Sequence, residues 1–260
     1  MKLGLDGHVV LVTGASRGIG AAVALGLAAE GCDLVLAARS AEGLESTAAR
    51  VRELGRRALV FPGDLREREA PERFVAAAVA EFRRIDGVVC NAGSTQRGDF
   101  LELTDDAWED GFALKFTAHR RLLRAAWPHL VEARGAAVLV SGVGGRTPGA
   151  EFAIGGSVNA ALLSLCKALA DRGVKDGVRV NAINPGGVQT ERLQTRIRAL
   201  ANREGISEEA AAKALADQLG SLRLGRPEDI AAWVAFALSP KGGYLHGAFI
   251  DVDGGQTKTL

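Results

Sequence analysis

A chain of 260 residues suits one large domain, and 32 basic against 31 acidic side chains leave a formal net charge of +1. That balance excludes attachment to nucleic acid by bulk charge, while 47% hydrophobic residues exclude intrinsic disorder. Three scattered cysteines, Cys32, Cys90 and Cys166, make neither a disulfide framework nor a zinc spacing, so no metal is expected.

The opening Met1–His8 lacks the long apolar stretch of a secretory signal. Gly, Arg or Asp interrupts every apolar run before the roughly 20 residues of a spanning helix. These features predict a soluble, cytoplasmic protein with no membrane partner. Along the chain, β-branched runs recur at Val9–Val12, Leu34–Ala37, Ala58–Phe61, Val88–Cys90, Val138–Val140, Val178–Ile183 and Phe249–Val252. Helical patterns fall between them at about 18–31, 42–55, 67–83, 105–133, 157–173 and 227–239. Uninterrupted apolar strands alternating with helices predict an α/β fold, a Rossmann-type doubly wound parallel sheet of seven strands covered on both faces. Residues 1–260 read as a single domain with one long excursion, about 190–226. That excursion has its own helix start at Ser207-Glu208-Glu209 and suits either a substrate lid or a surface helical hairpin.

The first strand runs into Thr13-Gly14-Ala15-Ser16-Arg17-Gly18-Ile19-Gly20, and a helix follows at once. Glycines there permit a tight turn and close approach of a pyrophosphate, to which the helix offers free N–H groups and a positive dipole end. About 20 residues past the turn, where an acid would bind a ribose 2′-hydroxyl, stands Arg39. With Arg17 it forms a pair suited to a 2′-phosphate, which favours NADP(H) over NAD(H).

The chain resembles the classical short-chain dehydrogenases/reductases from about Leu5 to Gly255. The motifs that carry the resemblance are the glycine turn, Asp64-Leu65, Asn91-Ala92-Gly93, Asn184-Pro185-Gly186-Gly187-Val188-Gln189-Thr190 and Asp253-Gly254-Gly255. The resemblance implies that Gly14, Ser16, Arg17, Gly18, Ile19 and Gly20 cradle the pyrophosphate. It also implies that Asp64 and Leu65 meet the adenine, and that Asn91, Ala92 and Gly93 line the adenosine ribose. Pro185, Gly186, Val188 and Thr190 would hold the nicotinamide half. It further implies a small-molecule substrate and a homo-oligomer, dimer or tetramer, packed through the 105–133 and 157–173 helices and the last strand.

The family carries out hydride transfer with a Ser, a Tyr-x-x-x-Lys pair and an Asn. In the register set by the flanking motifs those positions are Gly142, Gly155, Asn159 and Lys115. The one tyrosine is Tyr244, and no lysine lies between Lys115 and Lys167, so no local shift restores the pattern. Lysine and asparagine stand exchanged, and Lys115 is expected to reach toward Asn159 from a neighbouring helix. Glu151 is a candidate replacement acid if its loop desolvates it. His119 shares the helix face of Lys115, and Ser157 and Arg146 are also close in sequence. Three functions are compatible with this pattern. The first is an NADP(H)-dependent oxidoreductase with non-standard proton transfer. The second is a catalytically silent NADP(H)-binding sensor or partner of an active homologue. The third is a non-redox lyase or hydratase.

Overall fold

Seven short runs pair as parallel strands: β1 (Val9–Thr13), β2 (Asp33–Ala38), β3 (Ala58–Pro62), β4 (Gly87–Cys90), β5 (Ala136–Val140), β6 (Arg179–Pro185) and β7 (Phe249–Val252). Across the sheet of this computed structural model they lie in the order β3-β2-β1-β4-β5-β6-β7. Residues 2–259 are described, the side chain of Arg192 apart. Side chains alternate between the two faces, so each strand feeds two cores. Val9, Leu11, Val35, Ala37, Val88 and Leu139 face the layer of α3 (Ala70–Phe82), α5 (Ala118–Ala133) and α6 (Ala153–Asp176). Val10, Val12, Leu34, Leu36, Val89 and Val138 face α1 (Gly18–Ala29), α2 (Ala41–Glu53) and α9 (Pro227–Leu238). All three cysteines are buried within these cores. Burial pushes the Cys32 and Cys166 thiols up to about 12, as expected of cysteines packed as small apolar residues.

Two elements differ from their sequence expectations, the second in two ways. The pattern over 105–133 divides into α4 (Asp105–Phe112), a π turn (Ala113–Thr117) and α5. Helix α6 starts at Ala153, before the predicted 157, although glycine costs about 0.8–1.0 kcal/mol per residue in a helix. Close packing overrides that cost: an ideal Cβ at Gly156 would fall 2.8 Å from Pro148 Cβ. Contrary to the expectation of no spanning-length run, Ala150–Asp176 covers 27 residues and contains an 18-residue stretch with a mean hydropathy of 1.5. Its Ile154, Val158, Leu162 and Cys166 are fully buried in the protein, the use a core helix makes of such composition.

The 190–226 excursion folds as two helices, α7 (Glu191–Glu204) and α8 (Glu208–Leu219). They close on a small core of their own, with Leu193, Ile197, Ala211 and Leu215. Ser207 caps α8 by accepting the Ala210 N–H at 3.1 Å.

Helix α9 begins on an electrostatic cap. Asp229 accepts from the Arg226 N–H at 2.7 Å and from two Arg223 nitrogens at 2.6 and 3.0 Å. The Arg223 hydrogen bond, then the Arg226 N–H, draw its carboxyl down to about 2. Because the folded pKa lies below the unfolded one, the stabilisation is complete above about pH 5 and fades as pH falls toward about 2. Asp229→Ala is expected to cost about 1 kcal/mol at pH 7. In urea unfolding at stepped pH, the gap from the parent protein should close on the acid side.

Candidate functional site

The strand order reverses between β1 and β4, which opens a crevice at the carboxyl ends of the strands. Thr13, fully buried at the end of β1, knits its two walls together. Its Oγ1 accepts the N–H groups of Asn91 and Ala92 at 2.9 and 3.0 Å and donates to Val89 O at 3.2 Å. Asn91 Nδ2 returns a bond to Thr13 O at 3.0 Å. The turn itself can only be glycine where it tightens. Gly14 and Gly18 have φ of 68° and 56°, and an ideal Cβ at Gly20 would fall 2.1 Å from Gly14 O. Arg17 stands at the N-cap of α1 without capping it by its side chain, so the first N–H groups of that helix keep their affinity for an anion.

The other predicted cofactor residues surround this turn. Ser16 lies against the start of α2, where an ideal Cβ at Gly43 would come within 2.9 Å of Ser16 Cβ. Ile19 packs against the α1-side core. Arg39 is exposed at the end of β2 and has no salt bridge among the described residues. Asp64 is bound by Arg66, whose guanidinium also holds Asp110 at 2.6 Å, while Leu65 is buried. Beyond Pro185 and Gly186, Val188 is buried and bridges to Gly225. Thr190 then approaches the glycine turn, its Cγ2 lying 3.3 Å from an ideal Cβ at Gly18. Thus residues from five widely separated stretches of chain lie at one end of the sheet.

A second constellation lies beside Gly93. The π turn places Lys115 so that its stem crosses Gly93, where an ideal Cβ would sit 2.9 Å from Lys115 Cδ. Lys115 Nζ donates to Asn159 Oδ1 at 2.6 Å and to Ser141 O at 2.7 Å, which joins the π turn to α6 and to the end of β5. Asn159 is 2% exposed, and its carbonyl accepts the Ser141 hydroxyl at 3.0 Å. The expected meeting of Lys115 with Asn159 is therefore present as a direct hydrogen bond. Gly142 has φ 147° and ψ 152°, and an ideal Cβ there would meet Asn159 Nδ2 at 2.9 Å, so a side chain at 142 competes with Asn159.

Where residue 155 lacks a side chain, the ring of Phe152 takes the space. An ideal Cβ at Gly155 would fall 2.1 Å from Phe152 Cε2 and Cζ, and one at Gly144 would fall 2.7 Å from the same ring. The Arg97 guanidinium stacks over this ring at 4.2 Å from its centroid. Nothing in the sequence analysis singled out Phe152. The available signal was its spacing, three residues before a helical glycine and therefore on the same face.

The remaining candidates have the following surroundings. Glu151 is exposed on a 3-10 turn. Ser157 is exposed as well. Arg146 turns toward the sheet edge and pairs with Asp251, which also accepts from Asn184 Nδ2 at 2.8 Å. His119 is fully buried with both ring nitrogens lacking a hydrogen-bond partner among the described residues. Burial and then the Lys115 charge hold it down to about 3, so it stays neutral at physiological pH.

The family model described as enoyl-(acyl carrier protein) reductase matches residues 14–257. An uncharacterized oxidoreductase of Mycobacterium tuberculosis (strain CDC 1551 / Oshkosh) is 36% identical over 97% of this chain and 93% of its own length. The L-rhamnose 1-dehydrogenase (NAD(P)(+)) of Sphingomonas sp. (strain SKA58) is 32% identical over the whole of both chains. Among solved structures, L-sorbose reductase from Gluconobacter frateurii, complexed with NADPH and L-sorbose, superposes over all of both chains. Its TM-score is 0.96 at 31% identity.

Proposed function

Since the chain belongs to the short-chain dehydrogenase/reductase family, we propose an NADP(H)-dependent oxidoreductase whose proton transfer bypasses the family's tyrosine. The substrate class is a small carbonyl compound or the corresponding alcohol. NADP(H), when bound, supplies or accepts the hydride.

The residues present fit that cofactor. Close packing admits only glycine at Gly14 and Gly20 in the turn and at Gly186 beyond β6, where an ideal Cβ would fall 2.9, 2.1 and 2.7 Å from neighbouring atoms of the protein. In this reading the turn and the N–H groups of α1 take the pyrophosphate, and Arg17 and Arg39 take the 2′-phosphate. Asp64 takes the adenine, Asn91, Ala92 and Gly93 take the adenosine ribose, and Pro185, Gly186, Val188 and Thr190 take the nicotinamide half. Gly20→Ala is expected to lower stability by about 1–3 kcal/mol and to abolish nucleotide uptake. Urea unfolding and titration calorimetry would read the two effects separately.

Lys115 carries the chemical part of the reading. Its ammonium donates to the neutral acceptors Asn159 Oδ1 and Ser141 O. A fixed cation can stabilise negative charge developing on a carbonyl oxygen and hand it a proton. Asn159, in the position where the family has lysine, orients that cation. The single observation supporting this arrangement is the 2.6 Å bond between Lys115 and Asn159. Its test is a panel of sugar and small cyclic ketones with NADPH, in which product must form in proportion to NADPH consumed.

A second reading, a silent NADP(H)-binding sensor or partner of an active homologue, draws support from Phe152, whose ring fills the volume next to Gly155. Nucleotide binding without turnover across the panel, also in the presence of co-purified homologues, would select it. In either case we assign the α7–α8 hairpin as the lid over the substrate side, because Thr190 joins it directly to the glycine turn. Assembly as a dimer or tetramer through α5, α6 and β7 accords with exposed Val131 and Val174 on those two helices.

A further inference from the structure

We infer that Glu191 is a determinant of cofactor choice, acting as an internal competitor of the 2′-phosphate for Arg17. This rests on the NADP(H) reading above and names a residue outside the cofactor-binding motifs. Glu191 is the first residue of α7, and its Oε2 lies 2.9 Å from Arg17 Nη1. The two residues are 174 positions apart and meet because Thr190 packs against Gly18 of the turn. A single carboxylate therefore sits on the guanidinium that stands at the N-cap of the phosphate-binding helix.

Two charges decide what this pair does. A phosphomonoester with close to two negative charges is a stronger partner for a guanidinium than one carboxylate, so the phosphate displaces Glu191. The displaced carboxylate remains near the incoming anion and repels it. An NADP-type dinucleotide meets both costs in full. A dinucleotide with a bare 2′-hydroxyl leaves the Arg17–Glu191 pair standing and meets only the residual field of the carboxylate. Both side chains are more than 70% exposed, at 73% and 71%, which limits the effect to that of a solvated ion pair. Glu191 thus tempers the preference that Arg17 and Arg39 create, and leaves NAD-type cofactors within range.

The test is titration calorimetry of NADP+ and NAD+ with the full chain, Glu191→Gln, Arg17→Met and the double variant, at low and high salt. Glu191→Gln should tighten NADP+ by about two- to five-fold at low salt. NAD+ should change less, so the ratio of the two dissociation constants rises. In the Arg17→Met background the same replacement should lose most of its selective effect, and high salt should shrink it further. An unchanged ratio in Glu191→Gln, with both nucleotides still bound, overturns the inference and leaves the cofactor reading intact. An equal gain for both nucleotides also overturns it, since that identifies a general field and no competition. If no variant, nor the parent chain, takes up either nucleotide, the cofactor reading fails and this inference with it.

Discussion

Gly155→Tyr is expected to destabilise the protein by about 2–3 kcal/mol, although the register read from the sequence expects a tyrosine there. The reason is Phe152, whose Cε2 and Cζ would lie 2.1 Å from the new Cβ. The ring cannot retreat freely, because it packs closely against Gly144 and is covered by the Arg97 guanidinium. Inserted volume in such a place is accommodated by backbone shift or by expulsion of one ring, and α6 would be expected to fray at its first turn. Phe152→Ala/Gly155→Tyr should recover most of the loss, since the second ring then fills the first one's space. Urea unfolding of the two single variants and the double variant measures that coupling. Equal stability of Gly155→Tyr and the parent chain would mean that Phe152 leaves its seat at little cost. The glycine and the phenylalanine would then be independent.

The second large effect belongs to Lys115. Lys115→Met keeps the length of the stem over Gly93 but removes the donor to Asn159 Oδ1 and Ser141 O. An unsatisfied acceptor in a part-buried place costs about 1–3 kcal/mol. If the ammonium also serves as the acid, turnover per folded molecule should fall by about 10²–10⁴-fold. The two consequences are separable. Unfolding curves report the strut, and kcat measured well below the melting point reports the chemistry. Loss of stability with unaltered kcat would reduce Lys115 to a brace between two helices and a strand.

The sheet was legible because every strand is a short apolar run bounded by a turn, and all seven pair in parallel as expected. Helix boundaries were less so. Gly155 and Gly156 argue locally against helix, yet both are buried where α6 meets Pro148 and Phe152, and tertiary packing prevails. The π turn left no mark in the periodicity of 105–133, because five residues are too few to shift an apolar pattern visibly. Motif residues converged at one end of the sheet since their spacing reflects the fold itself. Side-chain partners did not follow from spacing. The Arg17–Glu191 pair and the Arg146–Asp251 pair join residues far apart in sequence. Glu151 illustrates the converse: as a carboxylate on a short polar loop it reads as solvated, and it is exposed on its 3-10 turn.

The widened turn at Ala113–Thr117 also fixes how this stretch can change by insertion or deletion. One residue advances a regular helix by about 100°, so the wide turn acts as a phase adjuster between its two halves. Within it Lys115 is aimed at Asn159, and downstream it keeps Ala118, Leu122, Ala126 and Leu130 on the buried side. Deleting one residue here would restore an ordinary helix and swing one half by more than a quarter revolution. Either the ammonium or the apolar seam would then face the wrong way. Point replacements within this stretch leave that angle intact, whereas a change of its length cannot.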